Sequence, residues 1–177
     1  MPAIWAMLTA APVPAGDTAL EKGKSLMNEG RLSEARAVLL EAVKQEPARA
    51  EAHYRLGLVY LGEGSHPKAI ESAKKAVALS DSVASYHLLL ARAYGMEALN
   101  SNIFAALGPA LSAKQEYETT IALDSRNLDA RYELLQYHLT APPIAGASEQ
   151  EAVKQAEALE RQDPLMGAYG WARIWEK

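Results

Sequence analysis

His53, His66, His87 and His138 are the four histidines of this chain, and with no cysteine present they are the first candidates for a metal ligand or a general base. Their spacing supports neither. His53 and His87 stand 34 positions apart in matching sequence contexts, which places them in separate structural units with equivalent packing roles. His66 sits in a turn beside Pro67, and His138 lies on a helical stretch among apolar residues. No His-x3-His or His-Glu-x2-His pair, glycine-rich phosphate loop or Gly-x-Ser-x-Gly elbow occurs. The carboxylates Glu41, Glu46, Glu71, Glu116, Glu118 and Glu133 mix with Lys44, Lys74, Lys75 and Arg131, as on a solvated helix face. A catalytic pair would also need a closed cleft to separate its pKa values. The expectation is a protein that is not an enzyme and carries no cofactor or metal.

The elements that hold these residues follow from composition and periodicity. An apolar content of 49% over 177 residues is enough for one domain with a continuous core. The net charge is −4, and the Lys and Arg residues are spread rather than clustered, so no nucleic-acid partner is expected. Residues 1–15 are uncharged and run apolar from Ile4 to Val13 before the small residues Ala15 and Gly16. That is the shape of a secretory signal without its basic start. A periplasmic or secreted protein is expected if the segment acts as a signal, and a cytoplasmic one with a disordered arm if it does not. The run is too short to span a bilayer, and no later segment reaches the roughly 18 apolar residues that spanning needs.

From Asp17 onward the apolar positions fall at helical spacing, with Gly30 between two helices and Pro47 after them. A shift of 34 superimposes this hairpin on the next: Gly23 on Gly57, Leu26 on Tyr60, Gly30 on Gly64, Ala35 on Ala69 and Ala42 on Ala76. Small residues at Gly57 and Ala69 let the helices of a hairpin approach, Leu56 and Tyr60 fill the gap to the neighbour, and Gly64 supplies the turn. A third copy starts at Ala84, with ten extra residues between Tyr94 and Ala113. There Asn100-Ser101-Asn102 reads as the turn, and Gly108-Pro109 predicts a kink or break. A fourth runs from Leu128 to Pro164, with five extra residues in the loop from Ala141 to Ala147. Ser148-x-x-Glu151 predicts a capping box at its second helix. Tyr169, Trp171, Ile174 and Trp175 predict a short capping helix, against which Gly167 and Gly170 count.

The pattern His53-x2-Leu56-Gly57-x2-Tyr60 with Ala69 and Ala76 resembles the tetratricopeptide repeat (TPR). His53 replaces the usual Trp, and Ala73 a bulky aromatic. The long third repeat, the Ala-Pro loop and the aromatic end together resemble a bacterial, often exported TPR family. The implied fold is an all-α, right-handed superhelical solenoid of about four repeats (16–49, 50–83, 84–127 and 128–164) with a cap at 165–177. The implied role is a protein-interaction scaffold.

In such repeats the first helices line a concave groove. The slots that point into it here hold Lys24, Tyr54, Leu58, Leu61, Leu88, Arg92, Tyr132 and Gln136. The expected occupant is a peptide or protein segment. The basic clamp with which some TPR domains hold chaperone C-termini is absent: Leu20 and Lys24 stand where Lys and Asn belong, and Ser85 and Leu89 where Lys and Arg belong. The alternative role is self-association into a homo-oligomer through the long third hairpin and the 141–147 loop.

Overall fold

The protein is described by a computed structural model covering residues 15–176; the expected leader lies almost wholly outside these residues. The chain forms α1 (Ala15–Asn28), α2 (Leu32–Gln45), α3 (Ala50–Gly62), α4 (His66–Leu79), α5 (Ala84–Leu99), α6 (Ile103–Leu123), α7 (Leu128–Thr140), α8 (Glu149–Gln162) and α9 (Pro164–Trp175). A 3₁₀ turn, Pro143–Ala145, lies between α7 and α8. Helices pair as the hairpins α1/α2, α3/α4, α5/α6 and α7/α8, each stacked on the next, and α9 packs on α8 and α7.

The first two hairpins close with the same turn. Gly30 and Gly64 adopt φ of 73° and 71°, where a Cβ would be strained. Around each, the same two bonds complete a Schellman motif: Arg31 N–H to Leu26 O and Gly30 N–H to Met27 O, then Ser65 N–H to Tyr60 O and Gly64 N–H to Leu61 O. The core lies along the stack as four apolar clusters, with Leu39, Leu89, Leu135 and Leu159 each at 1% exposure or less. Close approach is enforced by small residues. A Cβ on Gly57 would sit 2.9 Å from Leu89 Cδ2.

The matched histidines have matched bonds. His53 Nε2 lies 2.8 Å from the carbonyl of Pro47, and His87 Nε2 lies 2.8 Å from that of Asp81, six residues upstream in each case. In the fourth repeat Arg131 takes the slot and donates from Nε and an η nitrogen to Ser125 O, again six residues upstream. The slot therefore ties each first helix to the loop that enters it, and His and Arg both serve because only an N–H of the right reach is needed.

Three local expectations need correction or explanation. Pro109 neither breaks nor ends its helix: α6 is continuous from Ile103 to Leu123. The missing N–H deprives only the carbonyl of Ala105, an exposed residue whose carbonyl water can reach. The capping box does not form. The Ser148 side chain makes no cap bond, and its backbone N–H, the group Glu151 would have bonded, donates to His138 Nδ1 at 3.2 Å. Glu151 pairs with Lys154 instead, at 2.6 Å. The glycines of α9 favour docking instead of disorder, since a Cβ on Gly167 would fall 2.4 Å from Glu160 Cα and one on Gly170 3.1 Å from Leu135 Cδ1.

Candidate binding trough at the third hairpin

The eight expected groove residues do not share one environment. Lys24 is exposed and lies 4.0 Å from Glu21. Tyr54 is half-buried with its ring 4.9 Å from that of Tyr86, and beside it Leu58 and Leu61 lean on Ala73, Leu89 and Leu90. Leu88 is displaced from the expected set. It is 8% exposed and packed with Ala113, Tyr117, Ala130 and Leu134, because α7 closes over the position that Tyr54 leaves partly open in α3. Tyr132 packs toward Trp171 and Ile174 of the terminal helix. Its hydroxyl accepts from Gln136 Nε2 at 2.9 Å, and Gln136 Oε1 accepts from Arg173 Nε at 3.3 Å. The cap thus reaches the first helix of the fourth repeat and occupies part of that face.

Leu61, Arg92 and Gln136 do come together, around open space. A cavity of about 360 Å³ lies between Leu61, Arg92, Gly95, Met96 and Leu99. A second, of about 310 Å³, is lined by Ala98, Ala106, Ala110, Ala113, Gln136 and Tyr137 among others. The two share Gly95, Leu99, Tyr117 and Glu133, so they form one trough along the ends of α5 and α7. Its walls are aliphatic and its width comes from Gly95 and the alanines.

A polar cluster faces the trough. Arg92 Nε donates to Glu133 Oε1 at 2.7 Å, an Arg92 η nitrogen donates to Asp129 Oδ2 at 2.9 Å, and Tyr117 Oη donates to Glu133 Oε2 at 2.7 Å. Burial works against the charge on Arg92, but the carboxylates of Glu133 and Asp129 outweigh it and hold the guanidinium pKa above its usual value. Burial first, and the Glu133 charge second, push the Tyr117 phenol far up, so it serves as a proton donor and not as a nucleophile. Arg92, expected at a groove slot, is a bridge between α5 and α7, held by two carboxylates.

Tyr117 and most of the alanine wall are absent from the expected site because they lie on α6, a second helix that slot counting does not follow, and Glu133 and Tyr137 because they fall between the counted slots of α7. The ten-residue insertion is the available signal, since it lengthens α5 and α6 beyond α7 and opens the space. Among the described residues no group of three or more His, Asp or Glu is arranged to hold a metal ion, and no helix is long and apolar enough to cross a membrane.

Stacked antiparallel hairpins with a 34-residue period and Gly/Ala close contacts define a helical-repeat solenoid. Residues 20–84 match the tetratricopeptide repeat family model. No curated protein matches by sequence. Among solved structures, MamA residues 41–end from Desulfovibrio magneticus RS-1 superimposes with a TM-score of 0.69 at 20% identity, covering 84% of this chain and 77% of that one. The thermophilic TPR protein TTC0263 from Thermus thermophilus gives 0.65 at 20% identity, with 92% and 91% covered. The second TPR domain of human RPAP3, solved in complex with the HSP70 peptide SGPTIEEVD, gives 0.61 at 20% identity, with 69% and 93% covered. Residues 20–84 thus carry tetratricopeptide repeats, and the described residues as a whole form an all-α solenoid of the TPR type.

Proposed function

We propose that the protein is a non-enzymatic scaffold that binds an apolar segment of another protein in the trough between α5, α6 and α7. The observation that carries this is the trough itself: two joined cavities of about 310 and 360 Å³ whose aliphatic walls surround a paired charge cluster. Such a site contributes affinity through burial and orientation through a few polar groups. A chaperone C-terminus of the kind bound by RPAP3 is disfavoured, since Leu20 and Leu89, at two of the clamp positions, are 2% and 1% exposed core residues. Export to a bacterial periplasm is part of the same proposal, resting on the apolar run from Ile4 to Val13. Sequencing the N-terminus of protein from its native host tests it; an intact Met1 there would contradict export.

The direct test of the trough is Gly95→Leu. A Cβ at Gly95 meets only the Tyr117 hydroxyl, at 3.6 Å, so the fold accepts a side chain there, and replacing a mid-helix glycine favours the helix by about 1 kcal/mol. The leucine would project into the space that the two cavities share. Crosslinked capture in the native host should yield partners with the wild type that Gly95→Leu loses without loss of thermal stability. An unchanged set of captured proteins would sink the trough as the site.

A further inference from the structure

On the side of α6 bordered by the α7–α8 loop the surface is organised differently. Phe104 is 91% exposed, and Leu99 and Ile144 are each 78% exposed. Beside Phe104 lies a cavity of about 530 Å³ walled by Ala106, Leu107, Ala110, Pro142, Ile144 and Ala145. No charged residue occurs from Ala98 to Ala113 or from Leu139 to Ser148, in a chain that is 23% charged. Both parts are held in place. Asn102 Oδ1 accepts from the backbone N–H groups of Phe104 and Ala105, each at 3.1 Å, which fixes the first turn of α6. Tyr137 Oη donates to the carbonyl of Ala145, which pins the 3₁₀ turn.

We infer that this face is a self-complementary interface, on which two copies of the chain pair about a two-fold axis with Phe104 of each seated in the slot of the other. A projecting ring and an apolar hole on one patch satisfy the reciprocity of an isologous contact, in which each copy supplies both halves. Electrostatics favour a second copy as the occupant. Two molecules of net charge −4 repel over most of their surfaces, and this uncharged patch lets them meet without opposing like charges. Area agrees. Phe104 offers roughly 200 Å² per copy, the burial of a large aromatic side chain, and the exposed Leu99 and Ile144 add to it. The slot walls and the 43%-exposed Leu111 bring this toward the roughly 800 Å² per partner of a standard interface. The pinned loop and capped helix reduce the ordering cost of association. The result is a reversible dimer through a face that shares Leu99, Ala106, Ala110 and Pro142 with the trough but includes neither Gly95 nor Arg92, so Phe104 and Gly95 can be varied separately.

Sedimentation equilibrium of the full-length chain over a wide concentration range tests this. The wild type should show a monomer–dimer equilibrium, Phe104→Glu should weaken it by about tenfold or more, and Tyr169→Glu, at a 56%-exposed position on α9, should leave it unchanged. Circular dichroism of Phe104→Glu should match the wild type, because the side chain is almost wholly in solvent. As the chain has no cysteine, an equimolar mixture of Phe104→Cys and Ile144→Cys chains should form a 104–144 disulfide under mild oxidation. A wild type that stays monomeric at its highest soluble concentration would overturn the inference, as would a dimer indifferent to Phe104→Glu. A chain lacking residues 1–14, the form that export would leave, should dimerise as well, and its failure to do so would overturn the inference too.

Discussion

The hairpin α3/α4 and the hairpin α5/α6 share a plan as far as Tyr60 and Tyr94, and then part. In α3/α4 the helices stop together at a glycine turn, and Ala69, Ala73 and Ala76 are all at 0% exposure. In α5/α6 the same plan holds at Ala91 and Ala113, but beyond them ten further residues carry the pair past its neighbour, where Leu99 and Phe104 face solvent. A repeat protein is stabilised by nearest-neighbour contacts. Residues that follow the period are therefore explained by stacking, while those that exceed it have no repeat to stack on and are available for partners.

Two leucines on one helix give the largest expected contrast. Leu89, 1% exposed, joins the second and third repeats, and Leu89→Ala should cost about 2–5 kcal/mol in denaturant unfolding. Leu99→Ala, further along α5, should stay within about 0.5 kcal/mol. Equal losses at both would erase the distinction. Next comes Asn102→Ala, which removes two cap bonds and should cost about 0.5–2 kcal/mol. Hydrogen exchange should show that loss confined to the start of α6; loss spread into α3/α4 would mean the extension is part of the core.

The smallest effect concerns pH. Burial, and then the positive charge of Lys114, lower the His138 pKa below its ordinary value of about 6.5. Its Nδ1 accepts the Ser148 N–H, which also requires the unprotonated atom. The unfolded chain therefore binds the proton more readily. The histidine's contribution is fully present above about pH 6.5 and is lost as pH falls toward the lowered folded value. Denaturation midpoints from pH 7.5 to 5 should fall, and His138→Gln should flatten part of that slope. A slope identical in the variant would remove His138 from the account.

The period of 34 and the glycine turns make the stack legible in sequence, because close packing at Gly57 and Ala69 admits few residue types. The capping box is a false signal because its partner donor is claimed by His138, ten residues upstream, across a loop whose path no local pattern reveals. Arg92 misleads for a related reason. Its partners Asp129 and Glu133 are 37 and 41 residues away, brought near only by the packing of α7 on α5. Phe104 and Gly95 carry no motif; they matter through the space beside them.

The measurement that bears most directly on the division between stacking and binding is excision of Ala98–Leu107. This joins Glu97 to Gly108 and restores the 34-residue period, and Pro109→Ser made with it returns the N–H that Ser65 donates in the regular Glu63-Gly64 turn. The predicted result is a folded solenoid with a cooperative unfolding transition that no longer dimerises and no longer captures the partners of the wild type. A shortened chain that folds and retains both, or one that fails to fold at all, would contradict it.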